Sequence, residues 1–386
     1  MSFSNRAAIL LVGMLLAVSA CSSSGTMPAT APGAVNPASQ VSGFDSPFNS
    51  GIEPDTTTSI LKTLKTNVVI GSTVDPTNGD KGGHSVSVVT AKFGFKAGQV
   101  LVCNFEDKTG KAGAGTTLDV FDPTPGSKPV TVSQSSKLEG CSGSALTSIN
   151  GVYLTAPTSG LLVPVNNKGK LGKAVGAPYK EPFSDVDASD PGLYAAEYIF
   201  GSDASTGGII SFSINDFGNK TPLEPISGFA VNHKTGWSME GPGGLVYQPS
   251  KPNTDTLFVA DAIDNTVVAF NNASELLLKD EVVVKKGGKT FDCKYPKTTC
   301  GTLIHSGKPL DGPVAMTLLP NGNLIIANTN NTLVELTTAG KVLDTEVVDK
   351  TKTPGIFGVA AATVKGVGTV LFYTDANSND LHKLEP

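Results

Sequence analysis

The chain has 386 residues, with 43 Gly, 25 Pro, only 6% aromatic and 16% charged residues, and a formal net charge of -5. Few long amphipathic helices fit that profile; many short strands joined by tight turns do. The mild negative charge forms no basic stripe, which leaves nucleic acid a poor partner.

Residues 1–20 read as a targeting segment and stand outside the fold. Arg6 supplies the positive region, and Ala7 to Ala20 is an unbroken run of apolar and small residues, too short to span a bilayer as a helix. It ends Val18-Ser19-Ala20-Cys21, which resembles the lipobox of bacterial lipoproteins. The resemblance implies cleavage before Cys21, diacylglycerol on its thiol and, in many bacteria, a further acyl chain such as palmitate on the new amine. Two or more acyl chains hold a protein stably at a membrane. The residue after Cys21 is Ser22 and not Asp, which favours the outer membrane in a Gram-negative host. The alternative is an ordinary secretory signal in which Cys21 has no role.

Residues 21–60 are rich in Ser, Pro, Ala, Gly and Thr and carry few large apolar side chains. Such a stretch cannot bury enough surface to offset chain entropy and is expected to be a flexible tether. A coil of that length reaches on the order of 35 Å. A brief helical turn is expected around Ser59 to Leu64, and residues 61–386 are expected to form the folded domain.

From Asn67 onward the pattern is strand almost throughout, and it repeats. Gly241-Pro242-Gly243-Gly244-Leu245-Val246-Tyr247 leads to Phe258-Val259-Ala260-Asp261. Gly312-Pro313-Val314-Ala315-Met316 leads to Leu324-Ile325-Ile326-Ala327-Asn328, and Gly355-Ile356-Phe357-Gly358-Val359-Ala360 to Leu371-Phe372-Tyr373-Thr374-Asp375. Each is an apolar strand, a turn, a second apolar strand ending in Asp or Asn, a polar turn and a third strand. Asx residues at that turn mark the register at Asn104, near Pro157, and at Asp203, Asp261, Asn328 and Asp375. Phe200 to Phe212 aligns without gaps on Phe258 to Phe270, and Asn167-Lys168-Gly169-Lys170-Leu171 echoes Thr338-Ala339-Gly340-Lys341-Val342. Six marks spaced by roughly fifty residues predict an all-β, six-bladed propeller with four-stranded blades. The chain stops at Pro386 after the third strand of the last unit, so Asn67-Val68-Val69-Ile70-Gly71 is expected to supply that blade's fourth strand and close the ring.

Four further cysteines suit disulfides in an exported chain. Cys293 and Cys300 are expected to staple one loop between the fourth and fifth units. Cys103 and Cys141 form a second candidate pair, although Cys103 lies in an apolar strand and could be a buried thiol. Neither pair has zinc-site spacing.

Gly-Pro-x-x-hydrophobic-Ala, followed by Pro320-Asn321-Gly322-Asn323-Leu324-Ile325-Ile326-Ala327-Asn328-Thr329-Asn330-Asn331, resembles the NHL-type propeller repeat. That repeat runs Pro-x-Gly-(Val/Ala)-Ala and then Asp-Gly-Asn-hydrophobic-Tyr-Val-(Ala)-Asp-x-x-Asn. The likeness is closest in the units at 312 and 241 and loosest in the first three, where Ser85 stands in place of the family's Gly. It implies the fold and no single function, because such propellers serve in binding, scaffolding and hydrolysis.

Glu240 and Asp311 each precede a Gly-Pro that starts an innermost strand, so both are expected at the mouth of the central channel. Met239-Glu240-Gly241-Pro242 also resembles the Glu-Gly-Pro by which gluconolactonase-type lactonases present a metal-binding Glu. That resemblance implies Asn and Asp ligands from other blades, parts that Asp261 and Asn328 could play unless they only stabilise their turns. Trp237 could stack on a sugar or aromatic ligand, or pack at a blade junction. Gly110 to Thr117 has P-loop glycine spacing with Thr116 in place of the required Lys, and Asp375 to Asp380 begins like a calcium loop without its sixth-position Gly. His84, His233, His305 and His382 show no metal or triad spacing, and there is no Gly-x-Ser-x-Gly nucleophile elbow.

The expectation is a lipid-anchored envelope protein whose propeller binds a protein, glycan or small ligand at the mouth through Glu240, Asp311 and Trp237. It needs no cofactor and has no assigned catalytic residue. The alternative is a metal-dependent lactonase or related hydrolase, which would need a divalent ion in the channel mouth.

Overall fold

A computed structural model describes residues 44–45, 56–90, 94–147, 151–176, 183–188, 198–203, 206–213, 222–232, 241–249 and 254–386. The lipobox, Cys21, Ser22, His233, Trp237 and Glu240 lie outside these residues. The chain folds as an all-β propeller of six four-stranded antiparallel blades. Blade 1 is Lys81–Val88, Val100–Glu106, Thr117–Phe121 and Val130–Gln134. Blade 2 is Gly143–Leu146, Val152–Ala156, Leu161–Val165 and Val175–Gly176. Blade 3 is Phe183–Ala188, Tyr198–Asp203, Gly208–Ser213 and Leu223–Ser227. Blade 4 is Pro242–Gln248, Thr256–Asp261, Thr266–Asn271 and Gly301–Ser306, and blade 5 is Pro313–Leu318, Leu324–Asn328, Thr332–Leu336 and Val342–Val347.

Blade 6 is built from both ends of the domain: Ile356–Val364, Gly368–Asp375 and Asp380–Glu385 from the C-terminus, and Thr66–Ser72 from the N-terminus. Asn67 pairs with Leu384 and Gly71 with Leu381, as the unfinished last unit requires. The first strands of successive blades touch one another all the way round, blade 6 meeting blade 1, so they wall the channel.

The strands read as unbroken apolar runs because each blade is buried on both faces. In blade 5, Ile325 and Ala327 pack toward blade 6, while Leu324 and Ile326 pack toward blade 4. The same alternation divides the core into one apolar cluster for each junction between blades. The gapless match between blades 3 and 4 holds strand for strand: Asp203 opposes Gly208 as Asp261 opposes Thr266. The echoed turns do the same job in blades 2 and 5. Gly169 and Gly340, both at positive φ, lie where an added Cβ would stand 1.9 Å from the carbonyl oxygen of Val132 and of Ile304, on the outer strand of the preceding blade. Only glycine allows so close an approach.

The structure sharpens the sequence reading in two places and corrects it in a third. The register mark of blade 2, expected near Pro157, is Thr155, which pairs with Gly143 as Asn328 pairs with Pro313. Its buried hydroxyl meets that of Ser142, 3.2 Å away, so a short hydroxyl side chain replaces the Asx and the Asx pattern is blind to it. Cys103 bonds Cys141 within the core between blades 1 and 2, as the second candidate pair expects. Cys293 and Cys300 are also bonded, but their loop lies inside blade 4 and not between blades 4 and 5. Between the third and fourth strands of that blade the chain inserts a hairpin, Val282–Lys285 and Thr290–Cys293. Val282 and Val283 pair in parallel with Ile226 and Ser227, so the hairpin extends blade 3 to six strands.

The expected helical turn is present as a 3-10 turn at Leu61–Thr63. Buried Glu335 accepts hydrogen bonds from the Ser59 hydroxyl (2.8 Å), from the backbone N–H of Ile60 and Leu61 (3.2 and 2.8 Å), and from Asn323 (2.8 Å). Within the segment read as a tether, Phe44–Asp45 pairs with Thr363 and Val364 of the innermost strand of blade 6.

Candidate functional site at the channel mouth

Every innermost strand starts at one end of the ring, beside the turns that join second and third strands. That end is the mouth at which Glu240 and Asp311 were expected. Asp311 is there, at the turn leading into Pro313–Leu318, but its carboxylate is engaged. Lys308 Nζ lies 2.9 Å and Asn330 Nδ2 3.2 Å from Asp311 Oδ2, and its backbone N–H donates to Asn328 Oδ1 at 3.0 Å. Asn328 is spent as well, because its Nδ2 donates to Thr332.

Asp261 is fully buried, and its Oδ1 accepts from the Ile263 N–H at 3.0 Å, as an Asx turn requires. Its Oδ2 has no partner among the described residues. Burial pushes this carboxyl up to about 6, helped by nearby Asp264 and opposed by backbone bonds from Ile263 and Asp264. Asp203 and Asp375 make the same turn, accepting from Thr206 and Asn377. Asp203, Asp261 and Asp375 are therefore turn residues first.

A contact that the strand pattern does not reveal repeats at this end. Asn265, Asn331 and Asn379 each hold positive φ in the turn after the mark. Each side-chain oxygen reaches the next blade and accepts the N–H of a glycine at the start of its innermost strand: Gly312 at 2.6 Å, Gly355 at 2.8 Å and Gly82 at 3.0 Å. These are blade-to-blade latches. The sequence signal for them is the Asn three or four residues after Asp261, Asn328 and Asp375.

Innermost strands of blades 1, 5 and 6 carry one extra residue near the mouth, at His84, Val314 and Phe357, where register with the second strand shifts. Such bulges re-aim side chains. His84 lies between two rings, stacked on Phe357 (centroids 4.1 Å, 22° between planes) and on Phe105 (4.1 Å, 17°). It is 4% exposed, its Nδ1 has no partner among the described residues, and burial lowers its pKa to about 3, so the ring stays neutral. Phe357 is partly exposed. Blades 6 and 1 thus bring an aromatic face to this end, supported from behind by a neutral imidazole and a second phenyl ring. Neither residue was legible as a site, because each is a lone ring in an apolar strand until the closed ring brings them together.

The remaining histidines and near-miss motifs are structural where they are described. His382 stacks on Tyr373 and meets Asn67 Oδ1 at 3.1 Å, while Asn67 Nδ2 donates to Tyr373 at 2.7 Å, so these three join the closing strand to its neighbours. The glycine-rich stretch near Gly110 is a loop before a strand, and the segment after Asp375 is a tight turn. Among the described residues no group of three or more His, Cys, Asp or Glu side chains is placed to hold a metal ion.

No family model matches the chain, and no curated protein matches it. Its fold is similar to the X-ray structure of a gluconolactonase-like protein, with 12% identity, a TM-score of 0.52, and 85% of this chain and 96% of that one covered. Weaker likenesses link it to virginiamycin B lyase from Staphylococcus aureus (13% identity, TM-score 0.45, 83% and 98% covered) and to a streptogramin B lyase (10% identity, TM-score 0.45, 84% and 89% covered). At these identities the likeness is one of fold.

Proposed function

We propose that the protein is an exported lipoprotein, anchored through Cys21, whose propeller is a non-catalytic binding module with its ligand at the channel mouth. The observation that carries the binding reading is how the mouth's polar groups are used. Asp311 and Asn328, which a metal-dependent hydrolase would need open, are committed to Lys308, Asn330, Thr332 and the backbone. Phe357 keeps part of an aromatic face exposed. Such a face suits a sugar ring, an aromatic group or an apolar side chain of a partner. Glu240 and Trp237 belong to the same proposed site through their place in the sequence.

One observation favours the alternative, a metal-dependent lactonase: the open, buried Oδ2 of Asp261. The ligand set that reading needs is not completed among the described residues, since Asn328 is bonded through both its side-chain oxygen and its nitrogen and Asp311 is paired. The test is a hydrolysis assay of the full chain on a small sugar lactone with millimolar calcium or zinc. The expected result is no acceleration over the metal ion alone. Turnover that disappears in Glu240→Gln would establish the alternative.

A further inference from the structure

The insertion in blade 4 presents large apolar side chains that its own packing does not bury. Residues 272–281 and 293–300 form its base, at the end of the ring opposite the Gly-Pro mouth. Two buried acids fix their shape. Asp255 accepts the N–H (2.8 Å) and hydroxyl (3.0 Å) of Ser274. Glu281, 2% exposed, accepts the N–H groups of Leu277 and Leu278 at 3.1 Å each and the hydroxyl of Thr299 at 2.5 Å. Lys294 Nζ donates to the carbonyl of Lys279 at 2.6 Å, and the Cys293–Cys300 bond ties the second segment.

Held this way, Leu277, Leu278 and Tyr295 are 51%, 43% and 51% exposed, although the fold has ample core to hide them. Lys279, Lys294 and Lys297 are exposed on the same two segments. The same two segments hold as many acids, of which Glu275 is exposed, Asp280 is half-buried and Glu281 is satisfied inside. Over the whole insertion, residues 272–300, six lysines face four acids, a local reversal of sign on a protein of net charge -5.

The chain enters the propeller at the same end. The 3-10 turn at Leu61–Thr63 docks on Glu335 and Asn323, and Asn321 Nδ2 donates to the Thr58 carbonyl, at the turn joining the first two strands of blade 5. The base of the insertion lies at the corresponding end of blade 4, where Asn272 N–H bonds the Asp255 carbonyl.

We propose that this knob is a bilayer contact for anionic phospholipid. Leu277, Leu278 and Tyr295 enter the headgroup layer, and Lys279, Lys294 and Lys297 meet phosphates, the arrangement by which interfacial segments bind membranes. Combined with the lipid-anchored reading on which its orientation rests, the contact turns the insertion toward the membrane and the mouth away from it. The contact itself needs no anchor.

The experiment is co-sedimentation of the full chain carrying Cys21→Ser with vesicles of pure phosphatidylglycerol or pure phosphatidylcholine. Two variants in that same chain are compared, Leu277→Ser with Leu278→Ser, and Lys279→Glu with Lys294→Glu and Lys297→Glu. Any binding by the apolar leader is common to all three chains, so the differences belong to the knob. The expected result is preference for phosphatidylglycerol, weakened by high salt and by roughly fivefold for each lysine replaced. The leucine variant should bind less to both vesicles and melt like its parent. Equal partitioning of the variants and their parent would overturn the proposal. Self-association of the parent, lost in the leucine variant without a change in vesicle binding, would overturn it in favour of a surface between copies. Neither result depends on lipidation, which fatty-acid labelling of Cys21 tests separately.

Discussion

His84 and Asp119 are buried ionisable groups whose proton binding opposes each other in pH dependence. Burial holds His84 near a pKa of 3, against an ordinary value of 6.5, so the unfolded chain binds the proton that the folded chain refuses. Its contribution is complete above pH 6.5 and is lost as pH falls from there toward 3. Asp119 faces Asp75. Burial first, and then Asp75, push Asp119 up to about 9, so it remains a neutral acid able to donate to its neighbour. Burial alone would raise Asp75, but bonds from Thr131, Asn78, Asp119 and Thr77 outweigh it and hold this carboxylate below its usual range. For Asp119 the folded chain holds the extra proton, so stability is greatest below about pH 3.8 and declines as pH rises toward 9. Melting curves across pH should therefore separate two variants. His84→Phe should lose the fall on the acid side of pH 6.5, and Asp119→Asn should lose the decline between pH 4 and 9. An unchanged acid limb in His84→Phe would mean that the imidazole is not buried neutral in the stack.

At the scale of elements, the latches and the stapled hairpin carry the next predictions. Asn331 is fully buried, holds φ of 62° and binds Gly355 as well as Asp349, Thr351 and Thr353. Asn331→Gly keeps the backbone conformation and removes the bonds, so it should cost about 1–3 kcal/mol in chemical denaturation. Asn331→Ala should cost more, because alanine is strained at positive φ. Losing the Cys293–Cys300 bond should cost about 2.5 kcal/mol by loop entropy, and limited proteolysis should then cut first between Lys285 and Lys297. Strands and their order were legible because each strand's alternation serves two neighbouring blades. Blade closure was legible from an unfinished last unit. The blade 2 mark was not, since Thr155 does by a hydroxyl what Asx does elsewhere. Nor was the place of the hairpin, because parallel pairing of Val282 with Ile226 depends on how blade 3 ends, and no pattern within residues 272–300 records that.

For the whole molecule, closure by Thr66–Ser72 predicts that a chain beginning at Thr73 exposes two sheet edges in blade 6 and aggregates; the same melting point as the full chain would refute this. Much less of the site was legible than of the fold. Asp311 was correctly placed at the start of an innermost strand, but a lysine three residues before it engages its carboxylate, and the Phe357–His84–Phe105 stack exists only once blades 6 and 1 meet. The central claim is that the mouth binds a ligand without a metal ion. A ligand that binds only the native state raises the melting temperature in proportion to its occupancy. The most direct measurement is the melting temperature of the full chain with and without millimolar calcium or zinc, beside the double variant Glu240→Gln with Asp311→Asn. The account predicts no rise with either metal. A rise in the parent that is absent from the double variant would contradict it.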